Sequence, residues 1–424
     1  MIIAHKIALD PNDRQATYFA RACGTARFCY NWALAEWQKQ YTARKDDPSL
    51  SAPSEAALRR LLNSLKAEQF PWMAEVTKNA PQQAIKNLGS AFKRFFAGQG
   101  KYPRFKKKGV HDSFRADPGP DKNHPNAVDV SGTRIRLPVI GWVRMREPLR
   151  FSGKVMSAVV SRTADIWFVS LTVESPDSIS VRENQAVGGV DLGVKALATI
   201  SDGSTFDGPK ALHSNLARLK RLSRSLSRKV KGSANRKKAK AEIARLHARI
   251  SNIRKDALHK LTTELVRRFA IIGIEDLNVR GMMANGKLAR SIADMGFHEF
   301  RRQLDYKAAM GGSRIVVANR WYPSSKTCSD CGHVVEKLPL SVREWDCPAC
   351  GAHHDRDVNA ARNLEKMAAS SAVSACGEDG SGLGRKTKVK PASVKQESSA
   401  KATYAELWVG LDERFVLAFP QSMS

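Results

Sequence analysis

Four cysteines stand in two pairs, Cys328-x2-Cys331 and Cys347-x2-Cys350, with fifteen residues between the pairs. Each pair predicts a tight knuckle with two thiolates on one side, and two knuckles complete a tetrahedral zinc site. Gly332 and Gly351 follow each pair, where the turn requires positive φ. Four thiolates leave no open coordination position, so one structural zinc is expected, without chemistry at the metal. Two complete pairs with no surplus cysteine argue against a redox centre. His333, His353 and His354 lie nearby and are expected to be surface or nucleic-acid contacts. The chain has seven cysteines, an odd count that argues against a disulfide framework.

Oxygen donors form a second set. Asp191 lies in Gly189-Val-Asp-Leu-Gly193, Glu275 ends an apolar run beginning at Ile271, and Asp357 stands at an expected helix start shortly after Cys350. An acid on a buried strand is costly unless it is paired or binds a metal. Carboxylates from three separate elements suit magnesium or manganese. Two such ions about 4 Å apart activate water and stabilise a leaving oxygen in phosphodiester hydrolysis. Singly, each acid has a plainer reading: turn residue for Asp191, surface acid at a strand end for Glu275, helix cap for Asp357. Asp202, in Ser-Asp-Gly, reads as a turn residue. Asp276 and Asp355 compete with their neighbours for a metal, although strand alternation prevents Glu275 and Asp276 from sharing one.

The elements that must carry these residues follow from periodicity. Residues 1–9 read as a strand, and Asp10-Pro11 as a helix start. Phe19, Cys23, Ala26, Tyr30, Ala33 and Trp37 then make one apolar helix face, with Cys23 as a packed thiol. Further helices are expected over Ser54–Lys66 and Pro81–Phe96. Alternating runs at Arg134–Leu137, Trp142–Met145 and Trp167–Val173 predict antiparallel strands of a small barrel, into which the helices are inserted. From Val187 the pattern turns α/β. Val187–Val194 reads as a strand with a glycine-rich bend, and Leu197–Ser201, Phe269–Ile274 and Arg314–Ala318 as further strands. Glu299–Met310 reads as a helix.

The 424 residues suggest roughly three domains. Hydrophobic residues make up 42%, enough for a real core, and the formal charge is +29. That charge excludes an ordinary balanced metabolic enzyme and implies a polyanionic partner. Between Asn215 and Lys255 stand 15 Lys or Arg against one acid, Glu242, a net +14, about half the total excess. Leucines at 216, 219, 222 and 226, and Ile243, Leu246, Ile250 and Ile253, mark two helices of a hairpin around Gly232-Ser233-Ala234-Asn235. No apolar run reaches membrane-spanning length, and the N-terminus lacks a signal-peptide core. A cytoplasmic, nucleoid-associated protein is therefore expected, with no membrane. After Met367 the Ser-, Ala-, Gly- and Lys-rich composition predicts a disordered tail.

The motifs around the three acids, with Pro323-Ser-Ser-Lys-Thr-Cys-Ser-Asp-Cys-Gly332 and Asp355-Arg-Asp-Val-Asn-Ala-Ala361, resemble the TnpB family. These are transposon-encoded, RNA-guided DNA endonucleases related to type V CRISPR effectors. Ala26–Asn31 and Pro103–Lys108 extend the resemblance, which covers roughly residues 1–367. It implies an α/β fold plus β-barrel and helical lobe: a RuvC-like (RNase H-type) nuclease domain with an inserted four-cysteine zinc ribbon. The implied domains are a wedge-like barrel (1–10 and 100–180), a helical recognition lobe inserted in it (11–99) and the nuclease domain (181–367). Within the last lie the basic hairpin (210–269) and the ribbon (322–352), and a tail follows (368–424). By this resemblance Asp191, Glu275 and Asp357 are the catalytic acids and hold magnesium or manganese. The implied partners are a guide RNA from the transposon end and target double-stranded DNA. Arg104, Lys106, Lys107 and Lys108, with Arg228, Lys229, Arg236, Lys237, Lys238 and Lys240, are expected to contact phosphates. Phe92, Phe95, Tyr102 and Phe105 are candidates for base stacking or for core packing. Rival readings are a compact type V CRISPR effector, a nuclease-poor regulator and a cut-and-paste transposase.

Overall fold

The computed structural model describes residues 1–119, 127–176 and 184–376, which form two compact units, one on each side of segment 177–183. The first opens with β1 (Ile2–Asp10), α1 (Asp13–Asp46), α2 (Glu55–Gln69), a 3-10 turn (Pro71–Glu75) and α3 (Asn79–Phe96). Six strands follow: β2 (Ser113–Ala116), β3 (Asp129–Ser131), β4 (Arg134–Leu137), β5 (Gly141–Met145), β6 (Lys154–Thr163) and β7 (Ile166–Glu174).

Helix α1 starts later than Asp10-Pro11 suggests, because Asp10 is still paired in β1, in register with Arg144. Asn12 is the cap. Its side chain accepts from the Gln15 N–H at 2.9 Å, and the Gln15 side chain accepts from the Asn12 N–H at 3.1 Å, a reciprocal capping box. The expected stripe of α1 is inside: Phe19, Cys23, Ala26, Tyr30 and Ala33 are all buried. Phe92 of α3 is also core, stacked on Trp37 at 4.1 Å between ring centroids.

The sheet has the order β2-β6-β7-β1-β5-β4-β3, with every pair antiparallel. The first strand is therefore central, and the helical block lies between β1 and β2 of one sheet. The expected barrel is not what the pairing gives: among the described residues the order ends at β2 and β3, with no ladder joining them. Alternation specifies antiparallel strands but says nothing of the stagger that closure requires. β6 escaped the sequence reading because Val155-Met-Ser-Ala-Val-Val160 does not alternate.

The second unit begins with β8 (Val187–Asp191), β9 (Ala198–Ile200) and β10 (Thr205–Phe206), then α4 (Ala211–Ser227) and α5 (Ala234–Arg268). β11 (Ile271–Glu275), α6 (Val279–Ala284), α7 (Ala289–Met295), α8 (Phe297–Gly311) and β12 (Arg314–Ala318) come next. β13 (Glu344–Asp346), β14 (His353–Asp355) and α9 (Arg356–Cys376) complete it. The main sheet runs β10-β9-β8-β11-β12. β8, β11 and β12 are parallel, whereas β9 and β10 are antiparallel. Parallel strands need both faces covered, which accounts for the continuous apolar runs in β8 and β11.

Helix α9 packs across β8, β9, β11 and β12. Gly189 of β8 serves this approach, whereas its neighbour Gly188 makes room for the Phe269 ring. A Cβ at Gly189 would overlap the Ala361 carbonyl oxygen, and one at Gly273 of β11 would overlap that of Leu364. α9 also continues to Cys376, so its last turns occupy the start of the expected tail, and Ala368 is fully buried. The rest of that tail, 377–424, lies outside the described residues.

The basic hairpin is α4 and α5, turning at Gly232 with φ +87° and capped by Ser233, which accepts from the Arg236 N–H at 3.1 Å. The start of α4 is capped from α7: Asp294, itself buried, accepts from the N–H groups of Leu212 (2.9 Å) and His213 (3.0 Å). No helix among the described residues is long and apolar enough to cross a membrane.

Candidate metal centre

β8 and β11 lie side by side with Val190 opposite Ile274, so the next residues, Asp191 and Glu275, are the last of their strands at the same end of the sheet. Asp357 arrives in the first turn of α9. Burial pushes Asp191 up to about 8, and the charges of Glu275 and Asp357 push in the same direction. Arg356 and the Leu192 N–H oppose that rise. Glu275 and Asp357, both distant in sequence, thus lie close enough to Asp191 for their charges to act on it. Neutralising such a group of carboxylates without protons requires a cation, and hard oxygen donors fit magnesium or manganese.

The competing acids have other work. Asp355 caps α9: its Oδ1 accepts from the N–H groups of Asp357 and Val358, both at 2.9 Å. Asp276 is paired with Arg320 at 2.6 Å. Asp202 is the expected turn residue, accepting from the Ser204 N–H at 2.9 Å before Gly203 at φ +87°. Asp357 itself lies 3.3 Å from the Arg343 guanidinium.

The four cysteines come together with their sulfurs all within 4.8 Å of one another. Cys328 and Cys350 are 3.7 Å apart, and Cys331 and Cys347 3.6 Å. A tetrahedron with zinc–sulfur bonds of about 2.3 Å has edges near 3.8 Å, which these two sulfur pairs match. The two knuckles repeat one pattern. Gly332 N–H donates to the Cys328 carbonyl at 2.9 Å, and Gly351 N–H to that of Cys347 at 2.8 Å. Both glycines have positive φ, +80° and +73°. β13 and β14 pair behind the second knuckle, in register at Trp345 and His354.

His354 corrects the sequence reading. It is buried, lies against Trp345, and its Nε2 is 3.0 Å from Cys328 Sγ. It therefore supports a thiolate and is no surface contact. His353 remains exposed, with Nδ1 2.7 Å from Asp346.

The expected phosphate contacts divide by location. In the first unit, Arg104, Lys107 and Lys108 are exposed. Lys106 is held: Asn31 grips its backbone N–H (2.7 Å) and carbonyl (3.0 Å), and its ammonium sits 4.3 Å from the centre of the Tyr30 ring. In the second unit, Lys237, Lys238 and Lys240 are exposed on α5. Arg236 is committed elsewhere, donating to the carbonyls of Leu226 and Lys229, both at 2.8 Å, at the end of α4. Arg228 and Lys229 line an open groove of about 390 Å³ together with Arg221 and Arg224, which the sequence reading did not single out.

Other residues at the site also went unread. Ser324, Asn359 and Asn363 are buried. The Ser324 hydroxyl donates to Glu275 Oε1, and both asparagine amides donate to the Ser324 carbonyl. The one available signal was a polar stripe, Asn359, Asn363 and Lys366, at helical spacing on an otherwise apolar face.

A five-stranded sheet with acids at neighbouring strand ends, joined through a four-cysteine ribbon to its covering helix, places the chain in a known fold class. A cryo-EM structure of a Cas12f1–sgRNA–target DNA complex superposes with a TM-score of 0.54 over 84% of this chain and 83% of that one, at 16% identity. Three family models match: a "Probable transposase" model over residues 170–286, a "Cas12f1-like, TNB domain" over 297–364 and a "Helix-turn-helix domain" over 1–46. The structure of that last segment is one strand and one long helix. A Streptomyces pristinaespiralis protein named "Putative RNA-guided DNA endonuclease" is 41% identical over 395 residues, 93% of this chain and 96% of the relative. InsQ of Escherichia coli K12, similarly named, is 36% identical, covering 88% of this chain and 94% of the relative. The chain belongs to the TnpB family.

Proposed function

We propose that this chain is a transposon-encoded, RNA-guided DNA endonuclease. It hydrolyses phosphodiester bonds in DNA that pairs with its guide, beside a short flanking motif. The observation that carries the reading is the convergence of Asp191, Glu275 and Asp357 in a chain of this family. Asp191, Glu275 and Asp357 would hold a magnesium or manganese ion, which would supply activation of water and stabilisation of the leaving oxygen. The protein's own contribution is geometric and electrostatic. β8 and β11 fix two carboxylates at adjacent strand ends, and α9 adds the third. Burial and the neighbouring carboxylates make a charged, unneutralised Asp191 unfavourable, so a cation bound there would take the place of its proton. Arg343, half-exposed beside Asp357, supplies positive charge suited to a DNA phosphate, whereas the buried Arg356 donates to the carbonyls of Pro339 and Val342. Base pairing supplies sequence selection, and the basic hairpin holds RNA by its phosphates.

A transposon origin suits the relatives better than a CRISPR one. The Cas12f1 of Sulfoacidibacillus thermotolerans is 23% identical over only 214 residues. The test is reconstitution with the RNA encoded beside the gene. Site-specific cleavage of guide-matched DNA is expected. Asp191→Ala, Glu275→Ala and Asp357→Ala should each abolish it, a loss of roughly 1,000-fold or more, while RNA binding is retained. Cleavage by any of these variants at the parental rate rejects the assignment.

A further inference from the structure

We infer that Ser324 is a positioning residue: its hydroxyl orients Glu275, and α9 fixes Ser324 through Asn359 and Asn363. The inference rests on the reading that the three acids hold a divalent cation. Ser324 lies between the end of β12 and the first ribbon cysteine and is 4% exposed. Its hydroxyl donates to Glu275 Oε1, which occupies one carboxylate oxygen and sets the direction of the other.

Ser324 is itself held. Its carbonyl accepts from the amides of Asn359 (3.4 Å) and Asn363 (2.8 Å). The same two amides donate to the Thr327 carbonyl at 2.8 and 2.6 Å. Asn359 Oδ1 accepts from the Ser329 N–H at 2.8 Å, and the Lys366 ammonium donates to the Ser329 carbonyl. Asn359 and Asn363 are 1% and 3% exposed, so each lost bond would strand a buried polar group. Asn359 stands two residues after Asp357 on the same helix. Asp357 is thereby tied to Glu275 through α9, Asn359, Asn363 and Ser324. This strut fixes two of the three acids relative to each other before any ligand arrives, as outer partners of metal ligands do. It also makes the stem of the ribbon part of the carboxylate site.

The experiment uses the RNA-bound protein and manganese as the probe. Binding is measured from the electron paramagnetic resonance signal of free Mn(II), alongside zinc content, thermal melting and cleavage against magnesium concentration. Ser324→Ala should weaken manganese binding about tenfold and raise the magnesium needed for half-maximal cleavage similarly. Zinc should stay at one per chain. Ser324→Thr, which keeps the hydroxyl, should restore both. Ser324→Gly is the second hydroxyl-free variant if alanine lowers the folded fraction. Parental manganese binding by folded Ser324→Ala or Ser324→Gly overturns the inference. If Glu275→Ala in the same assay still loses manganese, the three-acid reading stands without it. If Glu275→Ala and Asp191→Ala also bind as the parent does, that underlying reading fails instead.

Discussion

At the residue scale, Asp191 combines a half-buried strand end with two neighbouring carboxylates. In the folded protein without a divalent cation its pKa lies at about 8, against 3.8 for an ordinary aspartate. Between those values the folded state binds more protons than the unfolded state, so stability falls as pH rises from about 4 to 8 and then levels. In magnesium-free buffer, Asp191→Asn should remove that slope and stabilise the protein above pH 8, by at most a few kcal/mol. Urea unfolding across pH 5–9 checks this, and an unchanged slope in the variant assigns the effect elsewhere. The three acids could be singled out as candidates because each sits where a motif or periodicity breaks. Ser324 was not, because its bond to Glu275 joins residues with no shared period. His354 was misread for a related reason: a histidine beside an apolar cysteine–tryptophan packing looks, as letters, like any surface histidine.

At the element scale, the parallel strands and both long helices could be read from their apolar spacing, whereas the glycines of β8 were read for the wrong property. A missing side chain, and not a bend, lets α9 lie on the sheet. Gly189→Ala should therefore displace α9 and cost at least about 3 kcal/mol, because the obstacle is backbone that cannot rotate away. Thermal melting and loss of cleavage would measure it, and a silent variant would show that the helix has room. The hairpin allows a sharper separation. Arg236→Ala should destabilise the α4–α5 junction by about 1 kcal/mol, since it removes a charged donor from two carbonyls. Lys238→Ala, exposed on α5, should leave melting unchanged and weaken RNA binding. Equal effects on melting would erase the distinction between scaffold and contact. That the order of the first sheet ends at β2 and β3 among the described residues was illegible, because pairing between distant strands leaves no local pattern.

At the scale of the whole molecule, a charge of +29 announced a polyanionic partner, and the hairpin concentrates about half of it. The protein stripped of RNA should not cut a defined site. RNA affinity should fall steeply with salt, with a slope reduced by about one for each phosphate-contacting cation removed from α5. Filter binding at several salt concentrations measures this, and site-specific cutting by RNA-free protein would favour the transposase rival. Translation delivers Asp191 and Glu275 well before α9, the last described element, brings Asp357 and covers the sheet. At ordinary ribosome speeds, roughly ten to thirty seconds separate the first acid from the third. During that interval a growing chain can carry its complete basic hairpin while its nuclease core is still unfinished. A message interrupted before α9 would yield a protein able to hold RNA and unable to cut. On the proposed function, the order of the elements keeps the third acid out of any chain cut short before α9.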